Sequence, residues 1–304
     1  MTVKLLYANN KGGTGKTSTA VQTAAALARR RLRVLVVDMD PQGNATRRLG
    51  IEWDPTDPFV GTPEVLAANQ KGAGEAAVYG CGWTVSDDDS SPSPEAELID
   101  VIASRPDLIN RETETGLPGA ALRLRKALTG DWIEKYDVVI IDSQPDLGHL
   151  VQMSMVAADH VLLVTDAMRD GVEGTYRVDD YVKLNAEDLG NPDLKVAGVL
   201  VNRWKPTNEA QFYLDEWLRP RFGDLIWDLK KTENRQVTTD DGTKSASVET
   251  VPSWIPDWSR FAEADGSGVS LTRWGDQRAR QTVAIYDQIA DRIINTLIPV
   301  GDRA

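Results

Sequence analysis

The stretch NNKGGTGKTS, residues 9–18, follows an apolar run and wraps three glycines with two lysines, Lys11 and Lys16. The run before it, VKLLYA at residues 3–8, has the aliphatic content of a buried strand, and the Ala-rich segment 17–30 has that of a helix. Strand, glycine turn and helix together let consecutive backbone N–H groups converge on one anion, free of Cβ interference and reinforced by the positive end of the helix. In that context Lys16 is placed to reach the β- and γ-phosphates of a nucleotide, and the Thr17 hydroxyl to ligate magnesium. A match to K-G-G-x-G-K-[ST] arises by chance in fewer than about one in ten thousand chains of this length.

Four further apolar runs have the same character: VLVV at 34–37, VVII at 138–141, HVLLVT at 160–165 and VAGVLV from Val196. They are continuous rather than alternating, as in strands buried on both faces of a parallel sheet. Helical segments are expected at 117–128, 172–184 and 277–297, which gives an α/β fold with helices on both faces of a mostly parallel sheet. The 304 residues read as a single domain, 1–304, with irregular excursions at about 54–94 and 232–251. The first holds DDDSSPSP and one short helix near 63–69; the second holds VTTDDGTKSASV, whose Asp-Gly suggests a hairpin. Arg29, Arg30 and Arg31 close the first helix, where cations favour its dipole, and contact with DNA is the alternative.

A net charge of −12 argues against a protein that coats nucleic acid with its whole surface, so any DNA contact needs a local basic patch. No apolar run approaches the roughly 20 residues that span a bilayer, and the N-terminus lacks a signal-peptide layout, so a cytoplasmic protein is expected. One cysteine, Cys81, allows no internal disulfide and no subunit-bridging cluster built on two thiols per chain. No metal-ligand spacing links His149 or His160 to other ligands.

Two strand ends carry acids. YDVVIIDSQPDLG sets Asp142 directly after a buried run, where a carboxylate reaches magnesium through water. VLVVDMDPQGNAT ends in Asp38 and Asp40 before a Pro-Gln-Gly-Asn turn, and a carboxylate there can orient an attacking water. The general nucleotide loop wants glycine at position 10, where this chain has Asn10, followed by Lys11. Lys11 is too near the loop's start to fold easily onto phosphates that Lys16 already serves, and is free to point outward.

KGGTGKTS, DMDPQGNAT and YDVVIIDSQPDLG, in this order, resemble the deviant Walker A ATPases of the ParA and MinD superfamily, and most closely the ParA-type partition proteins. Comparable segments include LIDVIAS, ALRLRKAL, VAADHVLLV, GVEG and VAGVLVNR. The resemblance implies a three-layer P-loop NTPase fold and a homodimer with ATP and Mg2+ sandwiched between subunits. Lys11 would then contact the phosphates bound by the other subunit. It further implies a nucleotide site of Lys11, Gly12, Gly13, Thr14, Gly15, Lys16, Thr17 and Ser18, with Asn202 at the adenine edge and Arg203 and Pro256 nearby. Thr17, Asp40 and Asp142 would serve the metal, and Lys11, Lys16 and Asp40 hydrolysis. Gln144 and Asp146 depart from the family's usual switch loop, and the 232–251 insertion displaces the path to Pro256.

The same resemblance implies a nucleoid-associated ATPase that binds nonspecific DNA as a dimer and meets a ParB-like centromere-binding partner in plasmid or chromosome partition. Positioning of a protein cargo over the nucleoid shares every motif. A basic stripe would draw on Arg203, Lys205, Arg219, Arg221, Arg273, Arg278 and Arg280. A MinD-type membrane cycle needs a C-terminal amphipathic basic helix, and the chain ends in VGDRA without one, so no membrane partner is expected. The tryptophans at 204, 217, 227, 254, 258 and 274 are read as core packing.

Overall fold

The computed structural model describes residues 2–56, 59–238, 244–257 and 268–299. Among them, β1 (Val3–Ala8), β2 (Val34–Met39), β3 (Val78–Gly80), β4 (Ile99–Ile102), β5 (Val138–Ser143), β6 (His160–Asp166) and β7 (Lys195–Asn202) form one sheet in the order β3-β4-β2-β5-β1-β6-β7. Neighbours are parallel except β3, which runs antiparallel to β4 at the edge. The glycine loop therefore leaves the sheet from an interior strand, with β5 and β6 on either side of β1.

The continuous apolar runs arise because both sheet faces are covered. Val3, Leu5 and Tyr7 of β1 point into one core and Leu6 and Ala8 into the other. The first core is closed by α1 (Lys16–Arg29) and by the helix near the C-terminus, Gln277–Thr296. The second is closed by α3 (Thr62–Ala68), α4 (Arg123–Ala127), α5 (His149–Ala157), α6 (Arg169–Asn185) and α7 (Asn208–Tyr213). Short α2 (Asn44–Arg48) follows β2, and α8 (Arg219–Phe222) follows α7 through a π turn. The π turn has a local cause: Pro220 has no N–H to continue the α-helical ladder.

Helix Gln277–Thr296, α9 in chain order, is started by Asp276, whose Oδ1 accepts the Ala279 N–H at 3.0 Å. Two members of the arginine cluster bind it to α1: Arg29 lies 2.8 Å from Asp287 and Arg30 2.7 Å from Asp291. Their charges are thus committed to a clamp between helices, beyond any effect on the helix dipole, while Arg31 is exposed in a left-handed conformation.

Several expectations need correction. Residues 117–128 do not form one helix: Gly119 adopts φ 71 and only Arg123–Ala127 is α-helical, after a 3-10 turn at Ala120–Leu122. The excursion at 54–94 contains the expected short helix, as α3, but also the strand β3. β4 was not anticipated as a strand, because Asp100 interrupts its short apolar run; that carboxylate accepts the Tyr136 hydroxyl at 2.6 Å. The expected hairpin forms, with β8 (Lys231–Thr238) antiparallel to β9 (Lys244–Val251) in a separate sheet, and its Asp-Gly tip lies outside the described residues. Trp258 lies outside them too.

Trp227 and Trp254 are buried, and Trp204 packs against Trp254 with ring centroids 6.0 Å apart, in keeping with core packing. A Cβ on Gly198 of β7 would collide with the Trp227 ring, so glycine there lets the indole lie flat on the sheet. Trp227→Ala is expected to cost about 3–5 kcal/mol in denaturant unfolding, against under about 0.5 kcal/mol for Trp53→Ala on the surface. Equal midpoints for the two variants would contradict this packing.

Candidate functional site

Strand register places the acids. Asp142 on β5 is aligned with Tyr7 on β1 and with Asp38 on β2, so three adjacent strands end level with one another beneath the glycine loop. Gly13 and Gly15 take φ 80 and 88, values that exclude most side chains and turn the loop back over these strand ends. The resulting cavity has a volume of about 680 Å3 and is lined by the loop together with Asp40, Gln144, Asn202 and Pro256.

Lys16 is buried, and its Nζ donates to the Lys11 carbonyl at 3.2 Å. Burial pulls its pKa below the ordinary lysine value, with Asp142, Asp40 and Asp146 opposing that shift. Asp142 is fully buried, and neither carboxylate oxygen has a well-formed hydrogen bond. Desolvation, then the neighbouring Asp38 carboxylate, push its pKa up to about 8, while the nearby Thr17 hydroxyl and Lys16 ammonium hold it back. An orphaned, buried carboxylate beside a hydroxyl and a phosphate-ready lysine is a fit for a divalent cation. No group of three or more His, Cys, Asp or Glu among the described residues could hold a metal alone, so phosphate oxygens and water would complete a magnesium shell.

Asp38 and Asp40 divide their tasks. Asp38 accepts the Asp40 N–H at 3.1 Å and the Thr46 N–H and hydroxyl at 2.9 and 2.8 Å, which builds the turn after β2; burial is the main cause of its pKa of about 6. Asp40 accepts the Gln42 N–H at 2.9 Å and lines the cavity. Lys11 does not line the cavity: it is exposed, with its Nζ 3.6 Å from Asp170 of α6. α6 can approach so closely because Gly174 faces Asn9 and the Lys11 Cβ, where any side chain would collide.

The remaining sequence candidates separate. Gly12, Gly13, Gly15, Lys16, Thr17 and Ser18 border the cavity, whereas Thr14 is buried beneath the loop with its hydroxyl unpartnered. Asn202 borders it too, yet its side chain faces the loop backbone: Nδ2 lies 3.1 Å from the Thr19 hydroxyl and 3.4 Å from the Gly15 carbonyl. Arg203 donates to the Gly13 carbonyl at 2.8 Å.

The arginines do not gather into one stripe of free charge. Arg221 is held by Asp179 and Asp180 and stacks 4.3 Å from the Tyr176 ring. Arg219 pairs with Asp215 at 2.9 Å and Arg273 with Asp87 at 2.8 Å. Arg278 and Arg280 are exposed on the first turn of α9.

Two contributors escaped the sequence reading. Arg48 of α2 lines the cavity and donates to the Ser18 hydroxyl at 3.1 Å. Glu112 caps α5 from outside, accepting the Leu150 N–H at 3.0 Å, and it accepts from Gln144 in the switch loop at 3.2 Å. Only their folded neighbours reveal them, since no local motif contains either.

A glycine loop on an interior strand, with carboxylates from the two flanking strand ends below it, defines the P-loop nucleoside-triphosphatase class. The AAA domain family matches residues 3–196. The chromosome partitioning protein ParA of Myxococcus xanthus is 33% identical over 226 residues, covering 74% of this chain and 73% of that one. The chromosome-partitioning ATPase Soj of Thermus thermophilus is 31% identical over 227 residues, covering 74% and 78%. The chain belongs to the ParA-type partition ATPase family.

Solved structures agree on the fold. An McdA–ATP complex from Cyanothece superposes with a TM-score of 0.73 at 22% identity, covering 96% of both chains. A structure of cobyrinic acid a,c-diamide synthase from Mycobacterium smegmatis, with bound ADP and magnesium, gives 0.66 at 25% identity over 97% of this chain and 96% of that one.

The buried carboxylate generates a pH signature. Asp142 has a folded pKa of about 8 against an ordinary value of 3.8, so its contribution to stability is present below the unfolded value and lost as pH rises through the folded one. Asp142→Asn should therefore stabilise the nucleotide-free, magnesium-free protein relative to wild type by an amount that grows from about pH 4 to pH 8 and then levels off. Urea unfolding of both proteins across that range measures the gap; a constant gap, or one that shrinks with pH, would show that Asp142 is not held in this environment.

Proposed function

We propose that this protein is an ATP-dependent dimerising ATPase that partitions or positions cargo over DNA. The observation that carries the reading is the division of the two lysines. Lys16 is buried under the loop, while Lys11 stands outside the cavity on the exposed side. A cation placed there has little use for its own loop's ligand, but serves a triphosphate presented by a second subunit. ATP would then hold two protomers face to face, and the partner subunit's Lys11 would complete each phosphate site.

Within one protomer, Gly12, Gly13, Thr14 and Gly15 supply backbone donors, and Lys16 neutralises the β- and γ-phosphates. Thr17 and Asp142, with Asp40 near, would hold Mg2+, which when bound offsets charge on the phosphate oxygens. Asp40 orients the attacking water; its firm turn, built on Asp38, suits positioning better than strong proton abstraction. Pro256 closes the far end of the cavity, where a base would lie. Turnover is slow until a ParB-like or cargo-bound partner stimulates it.

Nonspecific DNA would meet Arg278 and Arg280, with Arg273, Arg219 and Lys205 contributing where their carboxylate partners yield. Arg221 and Arg203 are better explained by contacts within the protein. An acidic chain needs two subunits side by side to present enough cations, which would make DNA affinity depend on ATP.

Lys11→Ala should keep ATP binding to the monomer but abolish ATP-dependent dimers in light scattering, and lower stimulated hydrolysis by at least about 10³-fold, as for other cations supplied in trans. Lys16→Ala should lose productive nucleotide binding, and Asp40→Ala should accumulate long-lived ATP dimers. Identical behaviour of the three variants would contradict these roles. For DNA, Arg278→Ala with Arg280→Ala should reduce the slope of log affinity against log salt by about 0.7–0.9 for each phosphate no longer neutralised, without altering dimerisation. An unchanged slope would remove both residues from the interface.

A further inference from the structure

We infer that Asn202 and Arg203 form a brace that holds the phosphate loop in its anion-binding shape, so that Asn202 acts as a positioning residue rather than as a reader of the base. The inference rests on the phosphate-loop reading above and assigns these two residues a part in it.

β7 ends beside the loop, and its last residue, Asn202, is only 3% exposed. Its side-chain amide is engaged on both sides. Nδ2 donates to the Thr19 hydroxyl at 3.1 Å and lies 3.4 Å from the Gly15 carbonyl, while Oδ1 accepts the Arg203 N–H at 2.7 Å. Gly15 has room for this neighbour only because it lacks a side chain: a Cβ there would overlap Nδ2. The same carbonyl of Gly15 accepts the Thr19 N–H at 2.9 Å, the first bond of the α1 ladder. Asn202 therefore grips the point at which loop becomes helix.

Arg203 supplies the second strut. It adopts φ 50, a left-handed conformation that is costly for a residue with a Cβ and is held here by the Asn202 Oδ1 bond to its N–H. In that conformation its Nη1 reaches the Gly13 carbonyl at 2.8 Å, and its Nε lies 3.4 Å from Asp257. Asp257 is itself fixed beside the strand end, because Ile255 donates to the Val201 carbonyl at 3.0 Å and Lys205 lies 2.9 Å from the Asp257 carboxylate. Two consecutive residues thus tether the carbonyls of Gly13 and Gly15, the loop's two left-handed positions. A flexible Gly-rich segment would otherwise lose conformational entropy when an anion orders it; tethering in advance removes part of that cost.

A base contact and a brace predict different ligand dependence. A contact to adenine acts on ATP and not on an inorganic chain of phosphates. A brace acts on the loop and so on both. The isosteric change Asn202→Asp sharpens the contrast: it keeps Oδ1 for the Arg203 N–H, and for any adenine amino group, but replaces the donor with an acceptor facing the Gly15 carbonyl.

The test is calorimetric binding of ATP, GTP and inorganic tripolyphosphate, each with magnesium, to wild type, Asn202→Ala, Asn202→Asp, Arg203→Ala and Lys16→Ala. The brace predicts that Asn202→Ala and Asn202→Asp each weaken ATP and tripolyphosphate by the same factor, about tenfold, with the ATP-to-GTP ratio unchanged. Arg203→Ala, a change at a half-exposed residue that leaves the core alone, should weaken both by about threefold, so the inference remains testable if the Asn202 variants fold poorly. Amide exchange of loop residues in the nucleotide-free protein should speed up in all three variants while urea midpoints stay close to wild type. Loss of ATP affinity with tripolyphosphate binding intact, or ATP affinity kept in Asn202→Asp, would overturn the brace alone. Tripolyphosphate binding that survives Lys16→Ala would overturn the phosphate-loop reading beneath it.

Discussion

A compact polyanion can be held without a permanent cation only where several backbone N–H groups point at one spot, and that demands residues with positive φ at the end of a rigid strand. Gly13 and Gly15 meet the conformational demand, and β1, paired on both sides, meets the rigidity. The rest of the site follows from this constraint. Carboxylates on neighbouring strands are forced into the same dry volume by the register that aligns Asp38 with Asp142, and their charges go unbalanced until a cation arrives. Lys16 supplies one positive charge. The unpartnered oxygens of Asp142 leave a place for more.

This arrangement makes the ligand-free chain electrostatically incomplete. Raised pKa values at Asp38 and Asp142 and a lowered one at Lys16 have a common origin in desolvation, and each would relax if a magnesium-bound phosphate chain entered the cavity. The switch loop is coupled to the same volume. Gln144 reaches Glu112 and Asp146, and Glu112 also caps α5, so a shift at the cavity wall is passed to a helix start. Where relatives commonly carry a proline and a small residue, this chain has built a polar latch.

Much of this was legible in the sequence, for physical reasons that differ by element. β1, β2, β5, β6 and β7 were visible because both of their faces are buried, which leaves no polar alternation to confuse them. β4 carries Asp100 in a run of four, and β3 is three residues long, so neither could announce itself. Gly119, in its left-handed conformation, cut short a segment whose apolar spacing suggested a longer helix. Within the site, Lys16, Thr17 and Asp142 belong to local motifs and needed no fold to be found. Arg48, Glu112 and the loop-facing amide of Asn202 act across large sequence separations, and Arg221 was read as free charge because Asp179 and Asp180 are distant in sequence. Intramolecular pairing is what a single sequence hides best in an acidic protein.

The claim on which the functional account turns is that each phosphate site is completed by a neighbour. Subunit mixing tests it most directly: Lys11→Ala and Lys16→Ala proteins, each inactive alone, are combined in equal amounts and ATP hydrolysis is followed. A mixed dimer has one site with an intact loop from one subunit and an intact Lys11 from the other. Random pairing of a two-fold dimer then restores up to about a quarter of wild-type turnover. A mixture no more active than its separate components would contradict completion in trans.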